Sequence, residues 1–161
     1  MMTKTHGNAM ILFARDPILG RVKTRLSSLL DEETILQLYT CFLHDSLDKV
    51  RQVRNADLFV GVSPSNESEF FTGTLSADMR LFVQEGNDLG DKMRRAIQDR
   101  FEEGYGRAVI IGSDSPSLPV SYIEQALGSD KDIVLGPSTD GGYYLIGMRG
   151  KLTEVFDGVT W

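Results

Sequence analysis

Four short apolar runs, separated by stretches of helical periodicity, leave few architectures open to this chain. The runs are Ala9–Ala14 (AMILFA), Asp57–Val62 (DLFVGV), Arg80–Gln84 (RLFVQ) and Ala108–Ile111 (AVII). Each is short, apolar and rich in β-forming residues, which reads as a buried strand. After the first run, Ile35, Tyr39, Phe42, Leu43, Leu47 and Val50 recur at helical spacing behind the acidic start Asp31-Glu32-Glu33. The spacing predicts a long amphipathic helix from Asp31 to about Val53. A short helix over Glu67–Phe71 separates the second run from the third. Leu89, Met93, Ala96, Ile97 and Phe101 give the next helix one apolar face, with Asn87 or Asp88 as its cap. Strands that alternate with helices form parallel sheets, because a parallel neighbour is reached only by a crossover.

The chain then changes rhythm. Pro119 suits the first turn of a short helix through Leu127, with Ser117 or Leu118 near its cap position. Two further strands follow, Asp132–Leu135 (DIVL) and Tyr143–Met148 (YYLIGM), too close together for another crossover. They predict a hairpin or a short return. The expected fold class is α/β, a mostly parallel sheet flanked by helices. At 161 residues the chain is expected to form a single domain over 1–161. Glu154–Trp161 (EVFDGVTW) reads as apolar and strand-like, with no polar tail, so part of the fold is expected to lie beyond Trp161.

Charge and composition exclude several classes. A net charge of −6 argues against nucleic acid as the main partner. The lone Cys41 cannot form an internal disulfide and suits a reducing compartment. No secretory leader follows Met1–Gly7 and no stretch is apolar enough to span a membrane, so a cytoplasmic location is expected. No Walker or dinucleotide-binding glycine motif and no Cys/His cluster is present. His6 lies in the N-terminal tail, and His44 inside the long helix reads as structural or surface.

The unusual residues gather in one kind of place. Arg15–Arg25, Gly86–Gly90, Gly112–Pro116 and Pro137–Gly142 each lie just past the carboxyl end of an expected strand. In an open parallel sheet that edge forms the ligand crevice. The first of these segments (RDPILGRVKTR) carries Arg15, Arg21, Lys23 and Arg25 against one acid, Asp16. Such a cluster suits phosphate or diphosphate, which arginine grips bidentately, although a solvated basic loop would look the same. Asp114, in GSDSP, is of a type that often caps a helix, but Pro119 places the next cap downstream. At a strand end facing a phosphate loop, a carboxylate also suits Mg²⁺ or Mn²⁺. Asp140 and the glycines Gly141 and Gly142 form an Asp-Gly turn. Asp140 is a candidate to bind a hydroxyl-rich group, help the metal, or act as a base.

Taken together, FARDPILGRVKTRL, GNDLGDKM, GSDSPSLP, LGPSTDGGYYLIGM and VFDGVTW resemble, in order and over nearly the whole chain, the bacterial DUF2064 group of GT-A-type glycosyltransferase-like proteins. The resemblance implies a Rossmann-like nucleotide-diphospho-sugar transferase fold, with Asp114 where such folds keep a metal-binding carboxylate. Related chains run on past the position of Trp161. The implied activity is metal-assisted sugar transfer from a nucleotide-diphosphate donor to a small-molecule acceptor. Asp114, Asp140 and Lys23 are the expected catalytic residues. Arg15, Lys23, Arg25, Asp88 and Gly90 are expected to bind nucleotide and diphosphate, and Asp140, Gly141 and Gly142 to face sugar or acceptor. The expected cofactor is Mg²⁺ or Mn²⁺, on Asp114. Pyrophosphorylases of similar architecture carry a G-x-G-T-R-[LM] loop. Here KTRL matches its tail, while Arg21 and Lys23 stand at the glycine positions. That departure fits a guanylyltransferase-like loop better and keeps nucleotidyl transfer to a small phosphorylated substrate as an alternative. A non-catalytic nucleotide-binding protein is the other.

Overall fold

A computed structural model describes residues 4–65, 67–150 and 154–159. Six strands form one sheet: β1 (Asn8–Arg15), β2 (Asp57–Ser63), β3 (Met79–Val83), β4 (Arg107–Gly112), β5 (Ile133–Pro137) and β6 (Tyr143–Arg149). The helices are α1 (Glu32–Arg51), α2 (Glu69–Thr74), α3 (Leu89–Glu102) and α4 (Val120–Gly128), with a 3-10 turn at Thr24–Leu26. The strand order is β3-β2-β1-β4-β6-β5. β1 pairs in parallel with β2 and β4, and β2 with β3, whereas β6 runs antiparallel to both β4 and β5. β5 therefore points the same way as β1 to β4, and the β5–β6 turn lies at the carboxyl edge with the other loops.

The central strand shows why the sheet is covered on both faces. Met10, Leu12 and Ala14 of β1 join one core with Tyr39, Leu43 and Leu47 of α1 and Ile123 of α4. Ala9, Ile11 and Phe13 join the other, with Met93, Ala96 and Ile97 of α3. Successive side chains of a strand point to opposite faces, so a run apolar at every position requires helices on both sides.

Elements and boundaries shift by a residue or two from expectation, with some informative differences. The short second helix runs Glu69–Thr74, later than Glu67–Phe71. Leu89, placed on the apolar face of α3, is exposed on its first turn; the buried face comprises Gly90, Met93, Ala96, Ile97 and Arg100. Pro119 occupies the cap position of α4, downstream of Ser117 and Leu118, and makes no side-chain cap bond. Proline has no N–H to lose at a helix start, and its fixed φ suits the approach. Within Glu154–Trp161, residues 154–159 form turns rather than a strand, and Phe156 is buried against the α3 side of the sheet. Trp161 lies outside the described residues. Among the described residues no helix is long and apolar enough to cross a membrane.

Candidate functional site

The carboxyl edge of the sheet collects the loops after β1, β2, β3 and β4 and the β5–β6 turn. The loop after β1 is held from below by Val22, which is buried in the α1-side core. Its backbone turns through the bonds Ile18 N to Asp16 O and Arg21 N to Ile18 O. The turn brings Lys23 into the left-handed region, at φ 48° and ψ 38°. A non-glycine residue there costs roughly 1–2 kcal/mol, and such residues cluster at functional sites. The ammonium of Lys23 reaches Asp114 at 2.6 Å, while Asp114 remains 68% exposed. Two residues singled out from sequence, on separate loops, are thus in direct contact. The pair is solvent-facing, so it adds at most about 1 kcal/mol to stability. Arg15, Arg21 and Arg25 are exposed. Among the described residues their guanidinium groups form no ion pair.

The Asp114 loop is anchored from α1. Lys49, only 7% exposed, donates to the carbonyls of Ser115 at 2.8 Å and Pro116 at 2.7 Å. Burial pushes its ammonium below the ordinary pKa of 10.5, and the charge of Asp45 offsets part of that. The hydroxyl of Tyr39 lies 3.3 Å from the Ser113 hydroxyl, and Ser46 donates to the Ser113 carbonyl at 3.5 Å. Tyr39, Ser46 and Lys49 all lie on the buried stripe of α1. Sequence reasoning treated Tyr39 as an apolar member of that stripe and passed over Ser46 and Lys49. The available signal was a polar residue at a stripe position, seven and ten residues after Tyr39.

The remaining expected site residues have defined local roles. Asp88 caps α3, accepting from Asp91 N at 2.7 Å, and Gly90 is buried in the first turn. Just before them, a Cβ on Gly86 would stand 2.7 Å from the backbone nitrogen of Lys92, so the loop needs glycine there. Lys92, a cation not singled out before, places its ammonium 3.4 Å from the Ser63 hydroxyl at the end of β2. Asp140 sits in the β5–β6 turn, where its carboxylate accepts from the Ser138 hydroxyl and, at 3.1 Å, from Gly142 N. The Ser138 bond, then the Gly142 amide, hold its carboxyl below the usual value of 3.8. Gly141 adopts φ +89°, which favours glycine. The expected Asp-Gly turn is present, and its carboxylate is exposed at the same edge as Asp114.

The donor set bears on the expected metal. Among the described residues no group of three or more His, Cys, Asp or Glu side chains could hold a metal ion. Asp114 is a single exposed carboxylate in contact with Lys23 of the cation-rich stretch. That fits a cation arriving with a diphosphate, since Mg²⁺ is commonly held by one or two carboxylates plus substrate phosphates. It does not provide a protein-only cage.

The family described as "Uncharacterized protein conserved in bacteria (DUF2064)" matches residues 46–161. A crystal structure from Desulfovibrio desulfuricans G20, of a protein assigned as a nucleotide-diphospho-sugar transferase, is 35% identical. It superposes with a TM-score of 0.90 over 98% of this chain and 70% of that one. A 4-diphosphocytidyl-2C-methyl-D-erythritol synthase is 12% identical, with a TM-score of 0.55 over 92% of this chain and 76% of that one. A CMP:2-keto-3-deoxy-manno-octonic acid synthetase, solved with CTP, is 10% identical, with a TM-score of 0.52 over 88% and 73%. The latter two share the fold alone. No curated protein matches the sequence. The mixed, mostly parallel six-stranded sheet flanked by helices is the architecture of these nucleotide-diphospho-sugar transferase-like and cytidylyltransferase folds.

Proposed function

The chain belongs to the DUF2064 family, and from that premise we propose that it transfers a sugar from a nucleotide-diphosphate donor to a small-molecule acceptor. The observation that carries the reading is the contact of Lys23 with Asp114 at 2.6 Å, with three exposed arginines on the same stretch as Lys23. A diphosphate leaving group gains negative charge as the bond to the sugar breaks. Pre-placed cations stabilise that charge where it develops. Lys23 and Arg25 bind the diphosphate in this reading, and Arg15 contacts the nucleotide or its phosphate. At an effective dielectric near 20, one such contact at ~4 Å is worth roughly 4 kcal/mol before desolvation. Asp114 would hold Mg²⁺ or Mn²⁺ together with the diphosphate. When bound, the cation neutralises the leaving group as a Lewis acid.

The other assignments follow from position. Asp88 and Gly90 border the base or ribose. Asp140, Gly141 and Gly142 face the sugar or acceptor. The lowered pKa of Asp140 makes it a poor match for a general base near neutral pH and favours a role as acceptor of a sugar hydroxyl. Nucleotidyl transfer is the second reading, favoured by the cytidylyltransferase architecture of the fold neighbours and by the cationic side chains Arg21 and Lys23 in the first loop.

A thermal-shift screen of nucleotides and nucleotide sugars, with and without Mn²⁺, tests the binding half without needing an acceptor, because ligands selective for the folded state raise Tm. Stabilisation by nucleoside diphosphates that depends on Mn²⁺ and on Asp114 is the expected result. No stabilisation by any member of the panel would sink the reading. Products then separate the two chemistries: a nucleoside diphosphate from a sugar nucleotide, or pyrophosphate from a triphosphate.

A further inference from the structure

The parallel ladder between β1 and β4 stops at the pair Phe13 and Gly112, closed by a bond from Ser113 N to Phe13 O at 3.2 Å. Beyond it the two chains separate. One leads into the cation loop, the other into the Asp114 loop. The Tyr39 hydroxyl joins them just past the point where the ladder ends. It accepts from Arg15 N at 2.8 Å and lies 3.1 Å from Arg15 O and 3.3 Å from Ser113 Oγ. A phenol has one proton to donate and can accept twice. Donation to Arg15 O, with acceptance from Arg15 N and from the Ser113 hydroxyl, uses that whole capacity. Tyr39 is 3% exposed and Ser113 5%, so water does not compete for these bonds. Burial raises the phenol pKa above 10, which keeps the donor proton in place at working pH.

We propose that Tyr39 is a positioning and specificity-determining residue: its hydroxyl sets the spacing between the Arg15–Arg25 loop and the Asp114 loop, and thereby selects a ligand with two linked phosphates over one with a single phosphate. The inference rests on the reading that phosphate binds between these loops. A monophosphate can settle among the cations of the Arg15–Arg25 loop alone. A diphosphate must engage both at once, and its affinity depends on their separation. A bond that fixes the separation therefore matters to the longer ligand and little to the shorter.

The test compares GDP with GMP, and UDP with UMP, each with Mn²⁺, by calorimetry on the wild-type chain and on Tyr39→Phe. The variant keeps the ring in the core and removes only the oxygen. The expected result is a ratio of diphosphate to monophosphate affinity lowered about tenfold, which is 1.4 kcal/mol. A purely structural effect lowers the binding-competent fraction and weakens every ligand by the same factor, leaving the ratio unchanged. Ser113→Ala removes another partner of the junction and should shift the ratio in the same direction by less, which keeps the test intact if Tyr39→Phe folds poorly. Faster hydrogen exchange at the Arg15 amide in Tyr39→Phe checks that the junction has opened. A wild type that binds no nucleotide overturns both the functional reading and this one. A wild type that prefers diphosphates, with the preference retained in both variants, overturns the role of Tyr39 alone.

Discussion

Lys49→Met is the change that most directly asks whether helix α1 holds the Asp114 loop in place. The ammonium makes two charge-assisted bonds, to Ser115 O at 2.8 Å and Pro116 O at 2.7 Å. Methionine fills a similar volume and makes neither. A hydrogen bond to a charged group contributes about 1.5–3 kcal/mol net. Two of them set an upper range of about 3–6 kcal/mol. The ammonium is also desolvated, as its lowered pKa records, and methionine avoids that cost. The two carbonyls belong to half-buried residues, so water can reach them in the variant. These offsets bring the expected loss down to about 2–3 kcal/mol. For a chain of this size that corresponds to roughly 4–12 °C in Tm. Urea unfolding measures the loss, and the Mn²⁺-dependent shift with a nucleoside diphosphate measures the loop. Both should fall, with ligand stabilisation reduced more than the lost stability explains. If stability drops by less than 0.5 kcal/mol, or the ligand shift survives intact (about 0.5 kcal/mol is the scatter of surface substitutions), Lys49 does not anchor the site.

Other substitutions probe the site and the frame separately. Asp114→Asn should abolish the Mn²⁺-dependent part of nucleoside-diphosphate binding while leaving Tm within a few degrees, since the Lys23 pair is exposed; unchanged Mn²⁺ dependence in calorimetry refutes the metal role. Lys23→Gly relieves the left-handed backbone but loses the ion pair and loosens the unfolded chain, so Tm should move little while diphosphate affinity falls at least tenfold, about 1.4 kcal/mol; a large Tm loss in a thermal melt would contradict the strain argument. Gly141→Ala, at φ +89° with open space around it, should cost about 1 kcal/mol in urea unfolding through backbone strain alone, and a neutral result would show that the turn relaxes. Burial raises the carboxyl of Asp57, but the bonds from Tyr105 and Thr5, the Arg80 charge and the His6 amide outweigh it and leave the pKa below 3.8. The unfolded state then binds the extra proton first, so this stability is complete above about pH 4 and is lost as pH falls through the folded value. Acid unfolding of Asp57→Asn, less stable by about 2–3 kcal/mol at pH 7, should lack this component of the pH slope.

The sheet was legible because its signal is local. A run apolar at every position, as in Ala9–Ala14, is a strand covered on both faces, and each early run was followed by a helical period. The order of the strands was not legible in the same way. That β6 inserts antiparallel between β4 and β5 depends on which partner the hairpin meets, a contact between segments far apart in sequence. The apolar pair Val155 and Phe156 suggests a strand at 154–159, yet one buried ring, Phe156, can be supplied from a turn as well as from a strand. Within α1, periodicity assigns Tyr39 to the apolar stripe and is blind to its hydroxyl. Nor can it show that Lys49 reaches the main chain after β4, because the partner of a buried ammonium is set by tertiary packing.

The two edges of the sheet divide the work of the molecule between them. At the amino edge Asp57 is buried and multiply bonded: it accepts from Thr5 N at 2.9 Å, His6 N at 3.1 Å and Tyr105 Oη at 2.6 Å, with Arg80 at 3.5 Å. Tyr105, desolvated and bonded to that carboxylate, is pushed up to about 12. A carboxylate buried and bonded in this way ties the amino edge together. At the carboxyl edge the polarity is arranged differently. The buried groups there, Tyr39, Ser46, Lys49 and Ser113, spend their bonds on main chain and on one another, and so fix the loops. Arg15, Arg21 and Arg25 are exposed and form no ion pair among the described residues, and Asp140 is exposed within its own turn. The acidic chain gathers four cations on the stretch Arg15–Arg25, and like charges in water repel by about 1 kcal/mol at ~4 Å and by less at longer separations. In the proposed reading an anion placed among them would relieve that repulsion. High salt should therefore weaken diphosphate binding while making the free loop easier to hold. The Lys23–Asp114 contact already compensates one of the four cations.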